Sequence, residues 1–298
     1  MSAEDDYETF LETWEPDERL RYASLPQHLD DPVVARQLLA DEGDGKVERT
    51  PYAVGIKLMT SEEERDRRYE FFVDRQPKWA AQFEDYVLSK GVPRAKLVKF
   101  VDRMARIWVD GRARQESKEM LAVKASVQAL DEALHRNAAG RFVLNAVPRG
   151  AKPLFTVDEM QVIFDANSGL IEALLPDYVD ALGVDGPGSV GSLHVHRGVR
   201  MPSVETIRRE VHYLSSFSLA LGPVEQFAQT WTPATKSSGV PSIFSAPLPA
   251  IQHRVVAFAP FIAGMSLRQL EFVVAPPIAE TILSRDGAFG GVEQFSFR

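Results

Sequence analysis

Apolar residues recur at helical spacing through the first half of the chain, between about residues 60 and 137. One stripe, with spacings of four, three and four, consists of Leu97, Val101, Met104 and Trp108. A second stripe follows Ser117 and consists of Met120, Val123, Val127, Leu130 and Leu134. Because residues at these spacings share one face of a helix, the stripes predict helices whose apolar faces pack against a core.

Prolines and capping residues set the predicted limits of the helices. Thr60-Ser61 followed by Glu63-Glu64 forms a capping box that opens a helix, and Pro77 is predicted to stop it. Pro93 suits the first turn of the helix that carries the first stripe. Residues 156–182 are predicted to form one or two helices, with an interruption at Pro176.

After Gly140 the pattern changes to short apolar segments rich in β-branched and aromatic residues and separated by glycine and proline. The segments SLHVHRGV, YLSSFSLAL, HRVVAFAPF, LEFVVAPP and VEQFSFR predict strands. The fold class is therefore α+β, with a helical first half and a second half of mostly antiparallel strands. A boundary near residue 150 would divide the chain into residues 1–150 and 151–298. The helices could equally pack onto the strands as part of one unit.

Length and composition narrow the class of protein. The chain has 298 residues, 45% of them hydrophobic, which is enough for one large domain or two ordinary ones. No run approaches the roughly 20 apolar residues that cross a bilayer, and the acidic start MSAEDDYETF lacks the features of a signal peptide. We therefore expect a protein of the cytoplasm, or one delivered into the cytoplasm of a target cell. With no cysteine, a disulfide framework, thiol catalysis and thiolate metal sites are excluded.

Negative charge is concentrated at the start of the chain. Residues 1–50 contain 14 Asp and Glu against 5 Lys and Arg, whereas the remainder is nearly neutral. Such a segment is typical of a solvated arm, and less often of a docking element for a delivery partner or an antitoxin. The net charge of −8 does not steer the protein to nucleic acid.

Two short segments of the second half carry candidate binding residues. In HVHRGVRMP, Arg197 lies at the end of a strand, where its planar guanidinium suits phosphate or carboxylate. The adjacent Gly198 would let a ligand approach the backbone. In YLSSFSLALGPVEQFA, Ser216 and Ser218 share a strand face, because side chains alternate along a strand, and Val224 begins a helix-like run.

A third segment, RQLEFVVAPP, places Gln269 and Glu271 on one strand face, ahead of an apolar run that ends in prolines. In this order, the three segments resemble the Arg, Ser-x-Ser and Glu/Gln-x-Glu series of the mono-ADP-ribosyltransferase toxins and effectors. The resemblance covers roughly residues 190 to 290. It implies a catalytic domain of two packed, mostly antiparallel β-sheets with flanking helices.

The resemblance also implies an activity, a glycosyltransferase reaction that moves ADP-ribose from NAD to a macromolecular acceptor and releases nicotinamide. Glu271 would be the catalytic carboxylate that stabilises an oxocarbenium-like ribose. Arg197 would hold the phosphate and ribose side of NAD, the Gly198 backbone the nicotinamide amide, and Ser216 would orient Glu271. The full set implied to bind NAD is His196, Arg197, Gly198, Ser216 and Ser218.

The acceptor side of the implied site depends on Gln269. Family members with glutamate at this place typically modify arginine, so the neutral amide indicates another acceptor, such as asparagine, glutamine, cysteine or a guanine base. The turn before it offers Met265 and Leu267 as possible target contacts beside a flexible Gly264. By the same resemblance, the stretch from Trp231 to Phe244 would be a mobile loop that closes over NAD.

Two other interpretations stay open. His194 and His196 share a strand face and could bind a divalent metal together with Glu205, His212 or His253, although the spacing matches the cupin pattern poorly. Alternatively, the chain is a non-catalytic interaction protein that keeps a degenerate transferase fold as a scaffold. The long helical half, which carries no recognisable chemistry, favours that alternative.

Overall fold

The described part of the computed structural model comprises residues 61–108, 117–134, 147, 148, 150–181, 193–201, 215–219, 224, 228, 240–267, 270–275, 283–289 and 292–297. The acidic segment at the start of the chain lies outside these residues, as do Gln269, Glu205 and His212.

The predicted helical stretches are helical in the structure. The long helices are α1 (Ser61–Ser89), α2 (Arg94–Asp102), α3 (Lys118–Leu134) and α4 (Val157–Ala181). A π-helical turn, Arg103–Ile107, continues α2 as far as Trp108. A capping box opens α4: the backbone N–H of Thr156 donates to the Glu159 carboxylate at 2.8 Å, and the Glu159 N–H donates to the Thr156 hydroxyl at 3.3 Å. None of the described helices combines the length and apolarity that a bilayer crossing requires.

The two predicted proline stops are wrong, because Pro77 lies inside α1 and Pro176 lies inside α4. A proline in a helix interior costs about 3 kcal/mol, since it removes a hydrogen bond and clashes with the preceding turn. Buried side chains on both sides of each proline offset this cost, Phe72 and Trp79 around Pro77, and Leu175 and Tyr178 around Pro176. In α1, Phe72 and Trp79 pack with their ring centroids 5.7 Å apart, and Phe72 also packs against Tyr178 of α4 at 4.9 Å. Tertiary packing therefore keeps both helices continuous.

Seven strands form one hydrogen-bonded sheet in the described residues. They are β1 (His194–Met201), β2 (Ser215–Ser218), β3 (Val240–Pro247), β4 (Val255–Phe258), β5 (Glu271–Val274), β6 (Leu283–Phe289) and β7 (Val292–Phe297). Their order across the sheet is β4-β5-β2-β1-β3-β7-β6. All neighbouring strands are antiparallel except β3 and β7, which are parallel. The α+β class with a mostly antiparallel sheet is confirmed.

The sheet is narrow at one place. Among the described residues, one registered pair, His196 with Ser218, joins β1 to β2, whereas β1 and β3 are in register from His194 to Met201. The sheet thus consists of two halves, β4-β5-β2 and β1-β3-β7-β6, that meet at this junction. Where two packed sheets were predicted, the described strands form one sheet with a weak seam.

The structure corrects the last part of the prediction for the stretch from Trp231 to Phe244, and residues 231–239 lie outside the described residues. Residues 240–244 belong to β3, an internal strand between β1 and β7, and not to a mobile loop. Ile243 and Phe244 are buried, and the Phe244 ring stacks on Phe295 of β7 with centroids 5.3 Å apart. Prolines 241 and 247 obscured the strand in the sequence, but they lie near its two ends, where a missing N–H removes the fewest ladder hydrogen bonds.

One apolar core extends through residues on both sides of position 150. Trp79 of α1 packs edge-on against Phe261, with ring centroids 5.9 Å apart. At the far end of the core, Asp131 of α3 and Arg254, which precedes β4, form a buried ion pair at 2.7 Å. Gln76 of α1 donates its side-chain amide to the carbonyl of Met265 at 2.9 Å. The helices and strands thus pack as one unit, an arrangement that the sequence had left open.

Candidate active site

Glu271 occupies the first position of β5, immediately after a strained residue. Leu270 has a φ of 43°, which is uncommon for a residue other than glycine and costs about 1–3 kcal/mol. The Leu270 N–H donates to the Leu267 carbonyl at 3.2 Å, so a tight turn leads into the strand. Leu270 is buried in the core, and this burial offsets the strain. The turn therefore fixes where β5 begins and where the Glu271 side chain leaves the backbone.

Two neutral donors converge on one oxygen of Glu271. The Ser216 hydroxyl, on the neighbouring strand β2, donates to Oε1. The indole Nε1–H of Trp108 donates to the same oxygen, with a distance of 2.6 Å between Nε1 and Oε1. Among the described residues, no hydrogen bond to Oε2 accompanies these two. Both described donors thus hold the same carboxylate oxygen.

Burial dominates the electrostatics of this carboxylate. Glu271 is only 6% exposed, and this desolvation raises the pKa of its carboxyl above the usual range. The hydrogen bonds from Ser216 and Trp108, followed by the positive charge of Arg197, act in the opposite direction on that pKa. Arg197 therefore lies close enough to Glu271 for its charge to act on the carboxylate. A carboxyl that has a raised pKa and is influenced by the charge of an arginine is a candidate functional group.

The junction between the two halves of the sheet lies at the centre of this constellation. His196, Ser218 and Glu271 stand side by side across β1, β2 and β5. Directly opposed residues on neighbouring strands share a face, so these three belong to one polar row. Arg197 follows His196 at the seam and is partly buried. Because side chains alternate along a strand, Arg197 leaves the face of β1 opposite to this row. The structure thus places Ser216 and Ser218 beside Glu271, and Arg197 acts on the carboxylate through its charge.

His196 is fully buried and contacts its own scaffold. Its Nδ1 lies 2.8 Å from the hydroxyl of Ser245 on β3, the strand on its other side. Ser245 is the residue registered opposite His196, so the contact ties β1 to β3 within the same row. The imidazole therefore fixes the geometry of β1 next to Arg197. NAD binding by His196 itself stays a prediction.

Gly198 is required by packing within the protein. A Cβ built on Gly198 would lie 1.7 Å from the Val224 carbonyl oxygen and 2.9 Å from the Ala228 nitrogen. Both contacts are to backbone atoms of a helical segment, which cannot move aside as a flexible side chain would. The close approach that the sequence attributed to a ligand is thus made by the chain itself. Contact between the Gly198 backbone and nicotinamide stays a prediction.

The predicted target contacts before β5 are corrected by the structure. Met265 and Leu267 are 2% and 7% exposed and belong to the hydrophobic core, so they present almost no surface to a macromolecule. Their burial follows from the turn, which folds this segment back onto α1. Gly264 does lie at a surface, where it lines a cavity of about 510 Å³ together with Ala105 and Arg106 of the π-helical turn. Of the candidate catalytic residues, the described one, Glu271, does not line that cavity.

Trp108 is the site residue that sequence reasoning missed. The periodicity placed it correctly on the buried face of a helix, where its indole is 2% exposed. It is the one member of its stripe with a hydrogen-bond donor, and a buried indole N–H normally has a partner. That requirement was the available signal. The partner could not be read from the sequence, because Glu271 is 163 residues away.

The metal interpretation can be compared with the positions of the His, Asp and Glu side chains. Within the described ranges, no three His, Asp or Glu side chains are grouped so that they could hold a metal ion. Glu205 and His212, which the metal interpretation invoked, lie outside those ranges. No protein-family model, curated protein or solved structure matches the chain.

Proposed function

We propose that this chain is an NAD-dependent mono-ADP-ribosyltransferase, which transfers ADP-ribose from NAD to a macromolecular acceptor and releases nicotinamide. The observation that carries the proposal is the setting of Glu271. Its carboxylate is buried, held on one oxygen by Ser216 and Trp108, and influenced by the charge of Arg197. Three of these residues come from the segments that carry the resemblance to the transferase family.

The chemistry explains why a held carboxylate is needed. In NAD, the bond between the ribose C1′ and the pyridinium nitrogen breaks, and its electron pair leaves with nicotinamide, which departs as a neutral molecule. Positive charge develops on the ribose, and the fixed negative charge of Glu271 stabilises it. A lone pair of the acceptor then bonds to C1′, and the acceptor loses a proton to solvent. Oε2, the oxygen without a described donor, can accept a hydrogen bond from a ribose hydroxyl.

Arg197 supplies the complementary charge in this proposal. The pyrophosphate of NAD is anionic, and a planar guanidinium binds phosphate oxygens through paired hydrogen bonds. The narrow junction between β1 and β2 is where the NAD cleft would open. The halves on either side of it would correspond to the two sheets of the transferase fold, with Ser218 and the Gly198 backbone completing the cofactor side.

The acceptor and the setting are further parts of the proposal. With Gln269 beside the catalytic position, the acceptor is a group other than arginine, either a protein side chain or a nucleobase. An enzyme of this kind acts as a toxin or effector in the cytoplasm of its own or a target cell. The acidic N-terminal region is the proposed contact for an antitoxin or a delivery partner.

Incubation of the purified full chain with NAD tests the proposal. Release of nicotinamide measures cleavage, and label transferred from adenine-labelled NAD to the protein and nucleic-acid fractions of a lysate measures the acceptor class.

Glu271→Gln is expected to lower nicotinamide release by about 100-fold or more, as for loss of other transition-state electrostatic groups. Arg197→Lys is expected mainly to raise the KM for NAD. Glu70→Gln, at an exposed position, is the matched control and keeps wild-type activity.

A second candidate function is a non-catalytic scaffold. The observation that favours it is the low exposure of Glu271, which ties the helical layer to the sheet through Trp108. On this reading the purified chain neither binds nor cleaves NAD, and Glu271→Gln alters only stability. Nicotinamide release by Glu271→Gln at the wild-type rate would exclude both the scaffold reading and Glu271 as the catalytic residue.

A further inference from the structure

Trp108 reaches Glu271 because of an irregularity in the helix before it. The turn Arg103–Ile107 is π-helical, and the backbone N–H of Trp108 donates to the Arg103 carbonyl, five residues earlier. A π-helical turn accommodates one extra residue, and such turns are frequent at functional sites. One extra residue rotates everything beyond it by about 100° relative to an uninterrupted α-helix. The turn therefore determines the direction in which the indole points.

The indole N–H of Trp108 donates to Oε1 of Glu271, the carboxylate that the proposed function makes catalytic. We propose that Trp108 is a positioning residue that, together with Ser216, holds Oε1 of Glu271 and so directs Oε2 toward the ribose of NAD. This inference rests on the proposed function. It makes the helical layer part of the catalytic unit, although the motifs of that unit all lie in the second half of the chain.

The chemical nature of the donors supports this role. An indole N–H and a serine hydroxyl are neutral, so they orient the carboxylate without cancelling the negative charge that the developing oxocarbenium ion requires. Hydrogen bonds to an ionised group are short and roughly twice as strong as bonds between neutral groups. The 2.6 Å separation between Nε1 and Oε1 fits such a bond. A buried site excludes water that would compete for the same oxygen.

The group that orients the Glu271 carboxylate from the helical side is different from the charged groups near it. On the sheet, β4 presents only apolar residues, Val255–Phe258, to β5. Across the junction, Arg197 is the charged group whose field acts on the carboxylate, and His196 stands in the same row. From the helical side, the contact to the carboxylate is made by Trp108. Replacing the indole therefore removes one orienting donor and leaves these charged groups in place.

Trp108→Phe is the central test, because it removes the N–H and keeps an aromatic ring in the core. We expect the kcat for nicotinamide release to fall about 10-fold to 100-fold, as for loss of a hydrogen bond to a charged group, with little change in KM. Loss of a donor to the ionised form raises the pKa of Glu271, so the acidic limb of the activity profile moves to higher pH. Ser216→Ala, which removes the other donor, is expected to move the limb in the same direction.

Trp79→Phe is the matched control. Trp79 is equally buried, but it packs against Phe71, Phe72 and Phe261 in the core, and no hydrogen bond links it to Glu271. This variant is expected to lose stability and to keep the wild-type kcat and acidic limb. If Trp108→Phe and Trp79→Phe behave alike in both measurements, Trp108 has only a packing role and the inference is overturned.

A second measurement keeps this inference separate from the proposed function. The chain has four tryptophans, so the indole N–H region of a ¹⁵N NMR spectrum is simple. The Trp108 signal, identified by its loss in Trp108→Phe or by assignment, is expected to move with pH in the wild type and to stay constant in Glu271→Gln. A signal that ignores both pH and Glu271→Gln would show that the contact does not exist. Absence of NAD cleavage by the wild type would instead refute the proposed function, and the catalytic role of Trp108 with it.

Discussion

Replacing Glu271 by glutamine should stabilise the fold at neutral pH while it removes catalysis. Burial raises the pKa of this carboxyl in the folded protein, despite the hydrogen bonds from Ser216 and Trp108 and the charge of Arg197. As pH rises past the ordinary range of a glutamate, the unfolded chain releases this proton while the folded protein retains it. The free energy of unfolding therefore falls across the window between the unfolded and folded pKa values, and stays lower above it. A neutral glutamine avoids this loss.

The expected magnitude follows from the contacts of the carboxylate. Each hydrogen bond to the ionised Oε1 contributes about 1.5–3 kcal/mol, so the two donors contribute about 3–6 kcal/mol together. The pKa of Glu271 is nevertheless raised, so burial outweighs these hydrogen bonds in the balance between the ionised and the protonated carboxyl. Glutamine keeps an oxygen that can accept from Trp108. We expect a net gain of about 0.5–2 kcal/mol, the range common for stabilising substitutions, here at a functional position.

Urea denaturation of the wild type and Glu271→Gln at a series of pH values measures the effect. The gain should be largest near neutral pH and should shrink toward about pH 4, where the unfolded glutamate is itself largely protonated. Glu70→Gln, at an exposed position, should stay within about 0.5 kcal/mol of the wild type throughout. A loss of stability at every pH, or a gain of the same size at every pH, would show that burial of the Glu271 charge does not limit stability.

Two further predictions concern packing, one at Gly198 beside the site and one at the buried ion pair of Asp131 with Arg254. Gly198→Ala would place a Cβ 1.7 Å from the Val224 carbonyl oxygen, so we expect a loss of at least about 1–3 kcal/mol in urea denaturation. Gly169→Ala, in open space inside α4, should instead be stabilising by up to about 1 kcal/mol, and similar effects of the two would contradict the prediction. Asp131→Ala leaves the charge of Arg254 buried and should cost about 3–5 kcal/mol, most of which Asp131→Leu with Arg254→Met should recover. A cost below about 1 kcal/mol for Asp131→Ala would show that the pair is not desolvated.

Local sequence patterns were sufficient to predict most of the helices and strands and the candidate chemistry. Helical periodicity located the helices, including the stripe that ends at Trp108, because the faces of a helix repeat within a few residues. Alternation and β-rich composition located β1, β2, β4, β5 and β7 for the same local reason. Two of the site residues, Ser216 and Glu271, were found through short motifs in a fixed order, and the structure places them in contact.

Local patterns were misleading where distant packing outweighed them. Pro77 and Pro176 looked like helix ends, yet both helices continue, because burial of apolar side chains on either side offsets the cost of the proline. β3 looked like a loop, although its central residues are buried between two strands. In each case the deciding energy came from neighbours that are remote in sequence, such as the contact between Phe72 and Phe258.

The surroundings of Glu271 depend on the folding of the whole chain and could not be read from any short segment. The indole that holds its carboxylate comes from the helical half, and a π-helical turn sets the direction of that indole. The pairing of His196 with Ser218, which joins β1 to β2, likewise forms only when the chain folds. The same is true of the backbone that packs against Gly198. A sequence window records which face of its own element a side chain occupies. It does not record which distant side chain will meet that face, since this depends on how all the elements share one core.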